Sequence, residues 1–145
     1  MQRVRLEFPD ADLRHQHPLT VRITDMNYGR HLGHDAVISL LHEARANALE
    51  ALGLSEADMG GYPSVAADIA VQYQAEARWP DALVVDTAIP APARKVVTVY
   101  HRIRRESDAR VVATARINLM LVDRQSGRPV TIPDAVRQRL SGAAA

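Results

Sequence analysis

Only one stretch of this chain can form a long helix, and that limits the fold more than any other feature. Residues 34–52 contain neither proline nor glycine, and Gly53 just beyond them is a stop signal. At 100° per residue, Val37, Leu40, Leu41, Ala44, Ala48, Ala51 and Leu52 share one broad apolar face. Ser39, His42, Glu43, Asn47 and Glu50 form a polar strip opposite. Such a helix is about 28 Å long, the span of a strand of eight or nine residues. It can therefore lie along a sheet and be covered by it, and the alanines toward its C-terminal end allow close approach.

The remaining chain supplies the sheet. Residues 19–24 alternate apolar and polar and predict a half-buried strand, with residues 4–6 as a short extra strand before it. Residues 55–58 read as a short capped turn of helix and 60–63 as a loop. Four strand-like runs follow, at 65–76, 83–89, 95–104 and 111–122, with turns at 106–108 and 123–127. Val65, Ala67, Ile69, Val71 and Tyr73 are expected on one side of the first run. Val111, Ala113, Ala115, Ile117, Leu119 and Leu121 are expected on one side of the last. Pro133 and Asp134 open a short helix ending near Leu140. One strand, one long helix and an antiparallel meander make an α+β pattern, expected as a single domain over residues 1–140 with a disordered tail at 141–145. There is no βαβ repetition, glycine-rich phosphate loop or internal repeat.

The 145 residues contain no cysteine, which excludes disulfides, thiolate catalysis and cysteine–zinc sites. Net charge is +1, and the one lysine, Lys95, stands among seventeen arginines. That balance gives no argument for nucleic acid. The charged N-terminus does not read as a signal peptide, and no apolar run approaches membrane-spanning length. The expectation is a soluble, cytoplasmic protein with neither nucleic-acid nor membrane partners. His15, His17, His31 and His34 invite a metal reading, but His15 and His17 sit in what reads as a polar loop, with no second ligand cluster at tight spacing. No metal site is expected.

A polar knot, Asp25-Met26-Asn27-Tyr28-Gly29-Arg30-His31, separates the first strand from the long helix. An acid, an amide and an imidazole fall within seven residues, directly before a helix start whose first N–H groups lack intrahelical acceptors. Such donors suit the stabilisation of negative charge developing on a polarised carbonyl oxygen. Aspartate has an ordinary pKa of about 3.9 and is ionised at neutral pH unless strongly desolvated. Taken alone, Asp25 reads first as a cap or turn residue before a helix, ahead of a catalytic acid, and Asn27 and His31 read first as loop residues.

The order strand, knot, helix, four strands resembles the hotdog fold, an antiparallel sheet of five to six strands wrapped around one central helix. The knot resembles the signature of the 4-hydroxybenzoyl-CoA thioesterase family of that fold, D-x-[DN]-x-x-G-H-x-N-N, followed by an apolar helix with a short E-A-R stretch. Asp25, Asn27, His31 and Glu43-Ala44-Arg45 are the matching positions, and the resemblance covers residues 19–122. Arg30 stands where that pattern has glycine, and Gly33 and His34 where it has two asparagines.

The resemblance implies an acyl-CoA thioesterase. Asp25 would attack the thioester or take a proton from water, and N–H groups at the helix start would hold the oxyanion. Asn27 could bond the loop or the acyl carbonyl, and His31 could orient Asp25 or a water. Glu43 is the second candidate acid, because some relatives use one on the helix. Arg94 and Lys95 match a region that holds the nucleotide of coenzyme A in relatives, and CoA enters as substrate, with no separate cofactor. Trp79 is expected in the core or at an interface. The family dimerises with its pocket between subunits, so a homodimer is expected, with residues 65–74 pairing across the two-fold axis and a tetramer left open. Two other readings share the fold. An enoyl-thioester hydratase resembles D-x-N-P-x-H, but Asp25 and His31 are six apart with no proline between. The other is an acyl-thioester binding protein without catalysis.

Overall fold

A computed structural model describes residues 1–141; most of the expected tail lies outside them. The elements are β1 (Leu13–Thr20), α1 (His34–Ala51), β2 (Ser64–Tyr73), β3 (Ala82–Ala88), β4 (Val97–Arg105), β5 (Val111–Leu121) and α2 (Asp134–Leu140). The five strands form one sheet in the order β1-β3-β4-β5-β2, with every neighbouring pair antiparallel. The helix α1 packs on one face of it, the arrangement expected of a hotdog fold. Gly53, at φ +73°, ends α1 as its position implies.

The core lies between α1 and the inner sheet face. Val37, Leu40, Leu41 and Ala44 of α1 pack with Val21, Leu83, Val85, Ile103, Ala113 and Ala115. A second cluster joins Leu49 to Met59, Val97, Val99, Leu119, Leu121 and three residues around α2, namely Ile132, Val136 and Leu140. The buried helix face is thus turned from the expected one. Arg45 and Leu49 are buried, whereas Ala51 is exposed and Leu52 only partly covered, because the α2 cluster draws Leu49 inward.

Four local expectations are corrected. The first strand is Leu13–Thr20, not 19–24, so His15 and His17 lie on a strand, not in a loop. Pairing with β3 sets its limits, from Leu13 opposite Ala88 to Thr20 opposite Ala82. Pro18 is accommodated because β1 is an edge strand. Beyond it, residues Ile23–Asp25 turn into a 3₁₀ helix. Residues 4–6 form no strand, and residues 55–58 form a bend in which the Asp58 N–H donates to the Ser55 hydroxyl at 3.1 Å. In β2, a bulge between Ala66 and Asp68 breaks the alternation. Ile69, Val71 and Tyr73 stand opposite Ile117, Ala115 and Ala113 on the inner face, whereas Val65 stands opposite Met120 on the outer one.

The outer face is polar. Asp86 is fully buried there beneath the Arg102 and Arg104 side chains, accepting from Arg102 Nε at 2.9 Å and Arg104 Nε at 2.7 Å. The Gln16 amide donates at 2.9 Å. Burial works against ionisation of Asp86, but the two guanidiniums outweigh it and hold its pKa below the ordinary value.

Candidate active site

The knot is tied at both ends. Upstream, the Val21 N–H donates to the Asp81 carbonyl at 2.9 Å. The Asp25 carboxylate then accepts from the Arg22 N–H at 2.8 Å and from Arg22 Nη2 at 3.0 Å. Asp25 is 5 % exposed. Burial alone would raise its pKa, but the hydrogen bonds and charge of Arg22 prevail and hold it below the ordinary value. Asp25 is therefore ionised at neutral pH. Its main-chain carbonyl accepts from the Gly33 N–H at 3.0 Å, which places the acid one hydrogen bond from the residue preceding α1.

Between these points the loop closes on itself. The Asn27 N–H donates to the His31 carbonyl at 2.8 Å, and the His31 N–H donates to Asn27 Oδ1 at 3.1 Å. Asn27 thus orders the loop. Arg30 sits at φ +63°, in the left-handed region, which explains why the resembled pattern places glycine there. The His31 imidazole points elsewhere than Asp25. Its Nε2 lies 2.9 Å from Glu76 Oε2 and 3.5 Å from Arg78 Nη2, on the connection between β2 and β3. Trp79, on the same connection, is half exposed rather than in the core, and its N–H reaches Met26 Sδ at 3.2 Å.

In α1 the first N–H with an acceptor in the preceding turn is that of Val37, donating to the Gly33 carbonyl at 3.0 Å. Helix geometry leaves the amides of His34, Asp35 and Ala36 without intrahelical acceptors, and no side chain caps the helix. A Cβ at Gly33 would stand 2.6 Å from Asp35 Oδ1, so an asparagine there would need that carboxylate to move. Tyr73, which sequence reasoning assigned only to a strand face, donates its hydroxyl to the His34 carbonyl at 3.0 Å. Burial, together with the Asp35 charge, raises the Tyr73 pKa and keeps that proton in place.

Glu43 lies on the solvent side of α1, 2.7 Å from His17 Nε2 on β1. Its charge also acts on Arg22, so Arg22 stands under the influence of both candidate acids. Arg94 and Lys95 do not join the knot. They are exposed in the loop before β4, which follows Ala88 at one end of β3, whereas Ala82 at the other end pairs with Thr20 beside the knot. Within one protomer the two regions occupy opposite ends of the sheet. Open clefts of about 720, 350 and 310 Å³ among the described residues are lined by side chains other than Asp25, Asn27, His31 and Glu43. Among the described residues no three histidine or acidic side chains gather as a metal site, and no helix is long and apolar enough to cross a membrane.

A long helix against a five-stranded antiparallel sheet, with an acid in the loop at its start, is the arrangement of a hotdog protein of thioesterase type. Residues 21–140 match the family model described as the thioesterase-like superfamily, and the chain belongs to that family. Solved structures share the fold. Slr0204, a 1,4-dihydroxy-2-naphthoyl-CoA thioesterase from Synechocystis, is 16 % identical, with a TM-score of 0.78 over 86 % of this chain and 93 % of that one. A DHNA-CoA thioesterase from Staphylococcus aureus is 20 % identical, with a TM-score of 0.72 over 80 % and 78 %. The protein AQ1494 from Aquifex aeolicus is 21 % identical, with a TM-score of 0.78 over 88 % and 99 %. No match was found among curated proteins.

Proposed function

We propose that this protein hydrolyses the thioester of an acyl-CoA, releasing the free acid and CoA. The observation that carries the reading is the position of Asp25. It is a buried, ionised carboxylate whose own carbonyl is bonded to Gly33, directly ahead of the free amides of α1. In this reading Asp25 attacks the thioester carbonyl or removes a proton from attacking water. The amides of His34, Asp35 and Ala36 supply donors for the oxyanion. Asn27 shapes the loop, and the reaction uses only the chain's own groups, water and substrate. Glu43 is the alternative acid, supported by its bond to His17 and its influence on Arg22.

The proposed active unit is a homodimer joined along β2. Among the described residues no strand pairs with its outer edge, and Ile69 and Tyr73 are exposed on the inner face. An antiparallel two-fold pairing of β2 would set the partner's opposite sheet end beside each knot. That geometry supports a CoA-holding role for Arg94 and Lys95 across the dimer, although they are remote from the knot within a protomer.

The test is release of free thiol from a panel of acyl-CoAs by the wild type and by Asp25→Asn. Wild-type release lost in Asp25→Asn supports the proposal, and undiminished release in the variant refutes the role of Asp25. One observation favours a second reading, acyl-thioester binding without hydrolysis: both Asp25 oxygens are engaged by Arg22. Saturable acyl-CoA binding with no release from any substrate would select it.

A further inference from the structure

The N-terminal arm, residues 1–10, crosses the outer sheet face, on the side opposite α1. The Leu6 N–H donates to Gln72 Oε1 at 3.0 Å. The Arg102 guanidinium lies 4.2 Å from the centre of the Phe8 ring and bonds Asp10 at 3.0 Å. Beneath the arm is an open cleft of about 720 Å³, lined on the sheet side by Tyr100, Arg102, Thr114 and Arg116 and on the arm side by Arg5 and Phe8, among others. That volume suits a small organic ligand.

The cleft's charges are unevenly satisfied. Arg102 is engaged by Asp10 and Asp86. Arg116 makes no side-chain hydrogen bond or ion pair among the described residues, and its Nε is buried without a partner. Arg5 is exposed and makes none there either. Glu7 is the other acid on the lining, on the arm beside Arg5. A guanidinium with no acidic partner carries an uncompensated charge, and its planar fork of N–H groups suits oxyanions. Two free guanidiniums match a dianion better than a monoanion. The Tyr100 ring and the apolar side chains of Leu6 and Val111 line the same cleft and offer a surface for a flat apolar group.

We propose that this cleft binds a phosphomonoester carrying a flat apolar group, its phosphate held by Arg116 and Arg5. The site lies on the sheet face away from the knot, so the proposal stands independently of thioester hydrolysis. Calorimetric titration of the full chain with phenyl phosphate, inorganic phosphate and benzoate tests it. Phenyl phosphate is expected to bind saturably, and more tightly than the other two. Its affinity should fall at least about tenfold in Arg116→Gln and in Arg5→Gln, the loss of a charge-assisted contact. It should hold in Arg110→Gln, outside the cleft. Arg5 is exposed on the arm, so its variant reports on the site even where Arg116→Gln perturbs folding. Absence of saturable phenyl phosphate binding, unchanged affinity in Arg5→Gln, or equal affinity for benzoate would overturn the proposal. Inorganic phosphate binding as tightly as phenyl phosphate would overturn the part assigned to the apolar group.

Discussion

Both carboxylate oxygens of Asp25 accept hydrogen bonds from Arg22, at 2.8 Å from its main-chain N–H and 3.0 Å from its guanidinium. This pairing keeps a buried acid charged. In Arg22→Ala the guanidinium is lost while burial persists, so the Asp25 pKa rises. Hydrolysis by ionised Asp25 should then show its acid limb at higher pH than in the wild type, read from kcat/KM against pH. Asp25→Asn should lower the rate by about 100-fold or more, the scale of a lost general base.

Arg30 occupies left-handed backbone at φ +63° in a loop closed by Asn27 and His31. Glycine avoids the steric penalty of that conformation, but loses more entropy on folding. Arg30→Gly is expected to stabilise the protein by about 0.5–1 kcal/mol. Urea unfolding at neutral pH measures it, and an unchanged or lower midpoint would contradict the argument.

His101 gives stability a pH dependence. It is fully buried, with Nδ1 2.9 Å from the Thr87 hydroxyl and Nε2 without a partner among the described residues. Burial, aided by the Arg45 charge, pushes its pKa down to about 3. The unfolded chain, with a histidine pKa of about 6.5, takes up this proton first as pH falls. Stability is therefore fully present above about pH 6.5 and declines toward pH 3, by about 1.4 kcal/mol per unit. Between pH 7 and 5 the loss should be about 2 kcal/mol. Asp25 and Asp86, with lowered pKa values, lose their pairs only at lower pH. Chemical unfolding at the two pH values should show this difference, and His101→Gln should flatten it.

Asp86 compensates Arg102 and Arg104 from a fully buried position. Asp86→Ala removes the common acceptor and leaves Gln16 unpaired as well. The expected loss is about 3 kcal/mol, at the lower end for a broken buried pair because both arginines retain some exposure. A thermal or urea midpoint close to that of the wild type would show that water replaces Asp86.

The two sheet edges are not equivalent. The β1 edge carries Pro18, which cannot donate to a further strand, whereas β2 has no proline and exposes Ile69. Sedimentation equilibrium is expected to find a wild-type dimer and a substantially monomeric Ile69→Lys variant. A wild-type monomer at micromolar concentration would refute the β2 interface.

Local sequence patterns determined the long helix, its stop at Gly53, the four later strands and the position of the knot. Each depends on periodicity or turn chemistry among neighbouring residues. Arg30 also showed its departure from the pattern in sequence, although its reason, a positive φ, is geometric. The tertiary structure decided which polar residues form β1, because pairing with β3 sets that strand more firmly than its own composition. It also brought His101 to Thr87, Asp86 to its arginines and the N-terminal arm across the outer face. It separated Arg94 and Lys95 from Asp25 within the protomer. Such relationships depend on the register of strands far apart in the chain, and one displaced residue or bulge changes the face to which a side chain belongs.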